Sequence, residues 1–176
     1  MGRKKARRQQ LQHTVDVLQK RWGPRAIRRM EATEATASHP ALPTGFRNVD
    51  RLLGIGGLPK GRFTELLGSG TAGQATLAAK TLRQAQRTGQ QAVYVDVNHA
   101  VDLDFLHRCG VRFDALTILR PWSFGHALEM TGDLLREGAA GAVVFDRIPA
   151  HPPEPDAFTA LDQALRDWNA VLPRTL

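Results

Sequence analysis

Residues 62–76, RFTELLGSGTAGQAT, constrain this chain more than any other stretch. A short apolar run, Phe63 to Leu67, leads into a turn holding Gly68, Gly70 and Gly73, and a segment of helical period follows. Strand, glycine loop and helix in that order are the scaffold of a phosphate-binding loop. Glycine backbones reach positive φ and turn N–H groups inward, and the helix N-terminus adds partial positive charge. The complete motif is Gly, four residues, then Gly-Lys-Ser/Thr. Gly68 and Gly73 keep that spacing, but Gln74 and Ala75 occupy the last two places. The loop (Gly68, Ser69, Gly70, Thr71, Ala72, Gly73, Gln74, Ala75, Thr76) thus keeps its bend without its cation or its magnesium-binding hydroxyl.

Around this loop the chain divides into three regions. Residues 1–30 begin with a charged lead-in read as mobile. Leu11, Val15, Leu18 and Trp22 then recur at helical spacing, Gly23-Pro24 stops that helix, and a short strand is expected over Ala26–Met30. Residues 31–42 read as a linker. Residues 43–176 form the main body, with a short helix near Phe46–Leu53 and a Gly54–Pro59 turn before the apolar run. After the loop come a helix over 77–87, a strand over 91–97, a helix over 103–109, a strand over 116–119, a helix over 124–136, a strand over 142–145 and a helix over 157–171. Strands alternating with helices predict a mostly parallel sheet covered on both faces, an α/β sandwich cut short on its C-terminal side.

Charge separates the same regions. Residues 1–30 carry ten Lys/Arg and one acidic residue, Asp16, a net of +9; the remainder nets −2. A basic arm on a near-neutral body is the footprint of a nucleic-acid contact or an acidic partner, and a solvated tail is the plain alternative. The single Cys109 excludes an internal disulfide. Without a long apolar run or an apolar signal core, the chain is expected to be cytoplasmic and away from membranes.

Few residues carry chemistry. Ala142-Val143-Val144-Phe145 ends in Asp146, and an aspartate at such a strand tip holds the magnesium shell in nucleotide-binding α/β folds. Asp96 and Asn98 stand at the tip of the strand over 91–97. A carboxylate there can take a proton from water, whereas an asparagine can only orient it. His107 and Cys109 lack a second ligand pair, so no metal site is expected. Trp22, Trp122 and Trp168 lie too far apart in sequence to read as a base-stacking platform.

Four ordered segments resemble the RecA recombinase family. LQKRWGPRAIRRM is similar to its N-terminal helix, turn and strand; PTGFRNVDRLLGIGGLPKGRFTELLG to the lead-in to its phosphate loop; YVDVNHAVDLDFLHRCGV to the strand and helix bearing its catalytic glutamate and adenine contacts; and AVVFD to its second nucleotide motif. The resemblance implies a RecA-like three-layer sandwich with an N-terminal helix and short strand. It implies that Asp102 and Phe105 contact adenine and that Asp146 stands on the magnesium side. It also implies that the family's lysine, hydroxyl and glutamate are replaced by Gln74, Ala75 and Asn98. ATP and magnesium are the implied cofactors, with the grip on both weakened, and no residue is assigned a catalytic role.

The expected function is a RecA-like accessory of DNA repair, recombination or damage-induced (SOS) mutagenesis, similar to ImuA-type proteins, with little or no ATP hydrolysis. It would contact a recombinase filament or an error-prone polymerase complex. Arg3, Lys4, Lys5, Arg7, Arg8, Lys20, Arg21, Arg28 and Arg29 are the expected DNA or partner contacts, and an open sheet edge makes self-association an option. The alternatives are a DNA-dependent ATPase with an atypical loop, and a DNA-binding module acting through the arm.

Overall fold

The computed structural model describes residues 2–23, 26–27, 40–148 and 156–172. The chain forms two compact units, Met1–Ser38 and His39–Leu176. In the first, helix α1 spans Gly2–Trp22. It takes in the charged lead-in that the sequence reading left mobile, because Arg, Lys, Gln and Ala are all good helix formers. Gly23, at φ 87°, closes α1 by donating to Gln19 O at 2.8 Å. The Gln19 amide reaches Ile27 O at 2.9 Å. Leu11 and Trp22 are 59% and 63% exposed, whereas Val15 of the same stripe is half-buried. Of the strand expected over 26–30, Ala26 and Ile27 form a turn and a bend, and Arg28, Arg29 and Met30 lie outside the described residues.

The second unit opens with an antiparallel ribbon, β1 (Ala41–Leu42) against β2 (Leu58–Pro59), where sequence had placed linker and turn. Gly57 makes the ribbon possible: a Cβ there would lie 2.2 Å from Leu42 O. Between them runs α2 (Arg47–Leu52), fastened by fully buried Thr44, whose amide and hydroxyl both donate to Asp50 Oδ1 at 2.8 and 2.7 Å.

The sheet has three parallel strands, β3 (Ala92–Asp96), β4 (Leu116–Leu119) and β5 (Ala142–Asp146), in the order β4-β3-β5. Helices α3 (Gln74–Arg87), α4 (Leu103–Arg108), α5 (Phe124–Glu137) and α6 (Ala157–Val171) supply the covering layers. Strand side chains alternate between faces. Ala92 and Tyr94 therefore pack with Ala79 and Leu82 of α3 and Leu106 of α4, while Val93 and Val95 pack with Ala127 of α5. Trp168 of α6 is buried among Phe124, Leu128 and Phe145. This three-layer α/β arrangement is the one the strand–helix alternation predicts.

One expected strand is absent from the sheet. Residues 63–67 join no ladder; Leu67 is 83% exposed, and Phe63 is held by stacking on Trp168 at 5.6 Å between ring centroids. An apolar run becomes a strand only when a neighbouring backbone offers its hydrogen bonds. Among the described residues none does so here, since β5 pairs with β3 alone.

Candidate functional site

The glycine loop bends as its sequence requires. Gly70 and Gly73 take φ of 54° and 100°, values that a side chain would strain, and Gly73 is the residue from which α3 starts. Gly68 serves by its size: a Cβ there would meet Gln74 Oε1 at 2.9 Å. The Gln74 side chain folds back over the loop, and its Nε2 donates to Gly68 O at 3.2 Å and Gly70 O at 3.4 Å. Among the described residues its buried Oε1 has no hydrogen-bond partner. The turn is thus tied to itself by a neutral amide. Ser69, Thr71, Ala72 and Ala75 are exposed, and Thr76 is half-buried in the first turn of α3.

A second cluster sits at the C-terminal tips of β3 and β5, where Asp96 and Asp146 are register partners. Asp96 is 1% exposed; its Oδ1 accepts from Ala100 N at 2.9 Å, and its Oδ2 lies 3.6 Å from Arg120 Nε beyond the end of β4. Among the described residues that Oδ2 has no hydrogen bond, so the ion pair with Arg120 is a loose one. The Tyr94 hydroxyl donates to Asp146 Oδ2. Burial first, and then this bond to Asp146, drives the Tyr94 phenol far above its ordinary range. It therefore remains a donor at any physiological pH, and one oxygen of Asp146 is committed to it.

The remaining expected residues have evident local roles. Asn98 is exposed in the turn after β3. Asp102 caps α4, accepting from Phe105 N at 2.8 Å. Phe105 is half-buried against the cluster formed with Leu106 and Cys109. Arg3, Lys5, Arg7, Arg8, Lys20 and Arg21 are exposed along α1, and Arg21 lies over the Trp22 ring at 5.1 Å. Sequence reasoning missed Tyr94 and Arg120. Tyr94 stands two residues before Asp96, on the same strand face, but only the pairing of β3 with β5 gives that face to Asp146 as well.

Comparison with known proteins gives the family. The family model for the RecA N-terminal domain matches residues 9–171. Protein RecA of Geobacter metallireducens is 36% identical over 148 residues, covering 84% of this chain and 44% of that protein. The chain belongs to the RecA family. Protein RecA of Chlorobium chlorochromatii is 38% identical over 149 residues (85% of this chain, 42% of the relative). That of Bdellovibrio bacteriovorus is 36% identical over 178 residues (94% and 47%). The chain spans just under half the length of these RecA relatives.

Against the needs of a magnesium–triphosphate group, the residues present fit poorly. The loop bend would accept phosphate oxygens, but Gln74 brings no charge, its amide lies over the turn, and Ala75 has no hydroxyl. Tyr94 already holds an oxygen of the aspartate that would stand on the metal side.

Proposed function

We propose that this chain is a RecA-like accessory of DNA repair, recombination or damage-induced mutagenesis, one that contacts a recombinase filament or an error-prone polymerase complex without sustaining ATP turnover. The observation that carries this reading is the Gln74 amide folded onto Gly68 O and Gly70 O, where a charged lysine would be needed. The Tyr94 hydroxyl on Asp146 and the exposed Asn98 support the same reading. Docking is assigned to residues 1–30: α1 leaves Leu11, Leu18 and Trp22 open to solvent on a strongly cationic helix. A protein with docking parts and a disabled motor caps or poisons an assembly that it enters.

The test is a titration of this protein into the full-length recombinase of the same organism on single-stranded DNA, following ATP hydrolysis. A saturable fall at sub-stoichiometric ratios is expected. A flat response from folded protein would overturn the docking reading.

A second reading, DNA binding by residues 1–30, is favoured by the start of α1. Its first turn carries Arg3 and Lys4 and no acidic residue, against the positive end of the helix dipole. A phosphate backbone would relieve that repulsion. Self-association through an open sheet edge belongs to the same proposal.

A further inference from the structure

At the far end of α3 from the glycine loop, Arg83, Gln86, Arg87, Gly110 and Arg112 line a cavity of 440 Å³. The two ends are separated by the length of a 14-residue helix, about 20 Å, so this is not the loop's own phosphate site.

The cavity is built rather than incidental. Gln86 is buried and spends its whole amide on the loop opposite: Nε2 donates to Arg112 O at 2.8 Å and Ala115 O at 3.0 Å, and Oε1 accepts from Arg112 N at 2.8 Å. This clamp fixes Arg112 against α3. Gly110, at φ 88°, ends the α4 turn and leaves room for Arg83, whose Cδ and Nε would stand 2.8 Å from a Cβ there. Arg83 and Arg87 are one helical turn apart, so their side chains leave the same face of α3 with Cβ atoms about 5–6 Å apart.

Charge defines the occupant. Arg112 forms a two-pronged ion pair with Asp114, through Nε at 3.1 Å and through Nη2. Among the described residues neither Arg83 nor Arg87 has an ion-pair partner. Three arginines thus line one cavity, Arg112 ion-paired to Asp114 and the other two without an ion-pair partner among the described residues. Among the residues that line it there is no aromatic or aliphatic side chain, and its side-chain donors are guanidinium groups, which call for oxygen acceptors. A single monovalent anion, carboxylate or phosphate, would leave half of the excess charge in place. Two phosphate groups would cancel it and would match the forked geometry of arginine. The volume, in the range of small-molecule pockets, accommodates more than one phosphate.

We propose that Arg83, Arg87 and Arg112 form a second anion site, distinct from the glycine loop, which takes two adjacent phosphate groups. The chemistry is common to a free oligophosphate and to successive phosphates of a nucleic-acid strand.

The experiment uses the full chain and inorganic triphosphate, following arginine Nε–Hε resonances assigned with Arg83→Gln and Arg87→Gln. The signals of Arg83 and Arg87 shift saturably, while those of Arg136 and Arg166, each ion-paired within its own helix, stay in place. The double variant loses roughly tenfold or more in triphosphate affinity. A parallel titration with a short single-stranded DNA distinguishes the sources. If the double variant flattens the slope of log affinity against log salt by about 1.4, two strand phosphates sit here. An unchanged slope, with triphosphate binding still lost, assigns the site to free oligophosphate. Unmoved Arg83 and Arg87 signals in the wild-type chain overturn the proposal, whatever the variants do. So do equal shifts with an oligoglutamate peptide of matched charge, which would make the site a carboxylate reader.

Discussion

Tyr94 is the only tyrosine in the chain, so its ionisation can be followed without ambiguity. Its proton is held by burial and by Asp146, which places the folded-state value above the ordinary ~10 of an exposed phenol. A raised value favours the neutral form, so the stabilisation is complete below pH ~10 and is lost as pH climbs above it. Alkaline difference absorbance should show a phenol that stays protonated well past that pH while the fold persists. Urea midpoints should fall above it in the wild type and stay flatter in Tyr94→Phe. Gln74 makes a separate prediction. Gln74→Lys with Ala75→Thr replaces the self-tied amide by a cation and a hydroxyl, and affinity for a fluorescent ATP analogue should rise tenfold or more, on the order of two added charge-assisted contacts. Hydrolysis should stay at background until Asn98→Glu is added. Phosphate release by the double variant alone would show that Asn98 is not what limits the site.

Elements were easier to read from the sequence than the contacts between them. Helices α3 to α6 and the three strands announced themselves by apolar period and by stops such as Gly89 and Gly138. The run Phe63–Leu67 has equal strand character but joins no ladder, because a strand is a property of two chains of backbone and sequence displays one. The two carboxylates at the strand tips were legible for a related reason, each ending an apolar run. Tyr94 was not, because its partner lies 52 residues away and only the register brings them together. Packing between α5 and α6 is likewise invisible in either helix alone. Gly132 allows Trp168 to approach, since a Cβ would stand 3.1 Å from its indole nitrogen. Gly132→Val should cost about 1–3 kcal/mol through overpacking, and Trp168→Ala about 3–5 kcal/mol through the cavity it leaves and the loss of the stack on Phe63, both measured by urea unfolding.

At the scale of the molecule, charge asymmetry sets how the protein meets a polyanion. If residues 1–30 carry the non-specific contact with single-stranded DNA, replacing Arg3, Lys4, Lys5, Arg7 and Arg8 by Gln should flatten the salt slope by roughly 3.5, with the helix retained because Gln is a good helix former. Fluorescence anisotropy across a salt series reads this directly, and an unchanged slope would remove the arm from the DNA contact. The sheet carries a different consequence. Among the described residues both strand pairs of the three-stranded sheet are parallel, so neither is joined by a hairpin: Ala92 meets Leu116 and Ala142, 24 and 50 positions along the chain. Each pairing is rewarded only after a long loop has closed, which makes acquisition of this fold slow relative to a helical bundle of similar size. During synthesis β3, the strand buried along its whole length, waits without its second neighbour until β5 has emerged. The window in which this protein is most exposed to misassembly is therefore a matter of timing on the ribosome rather than of final stability.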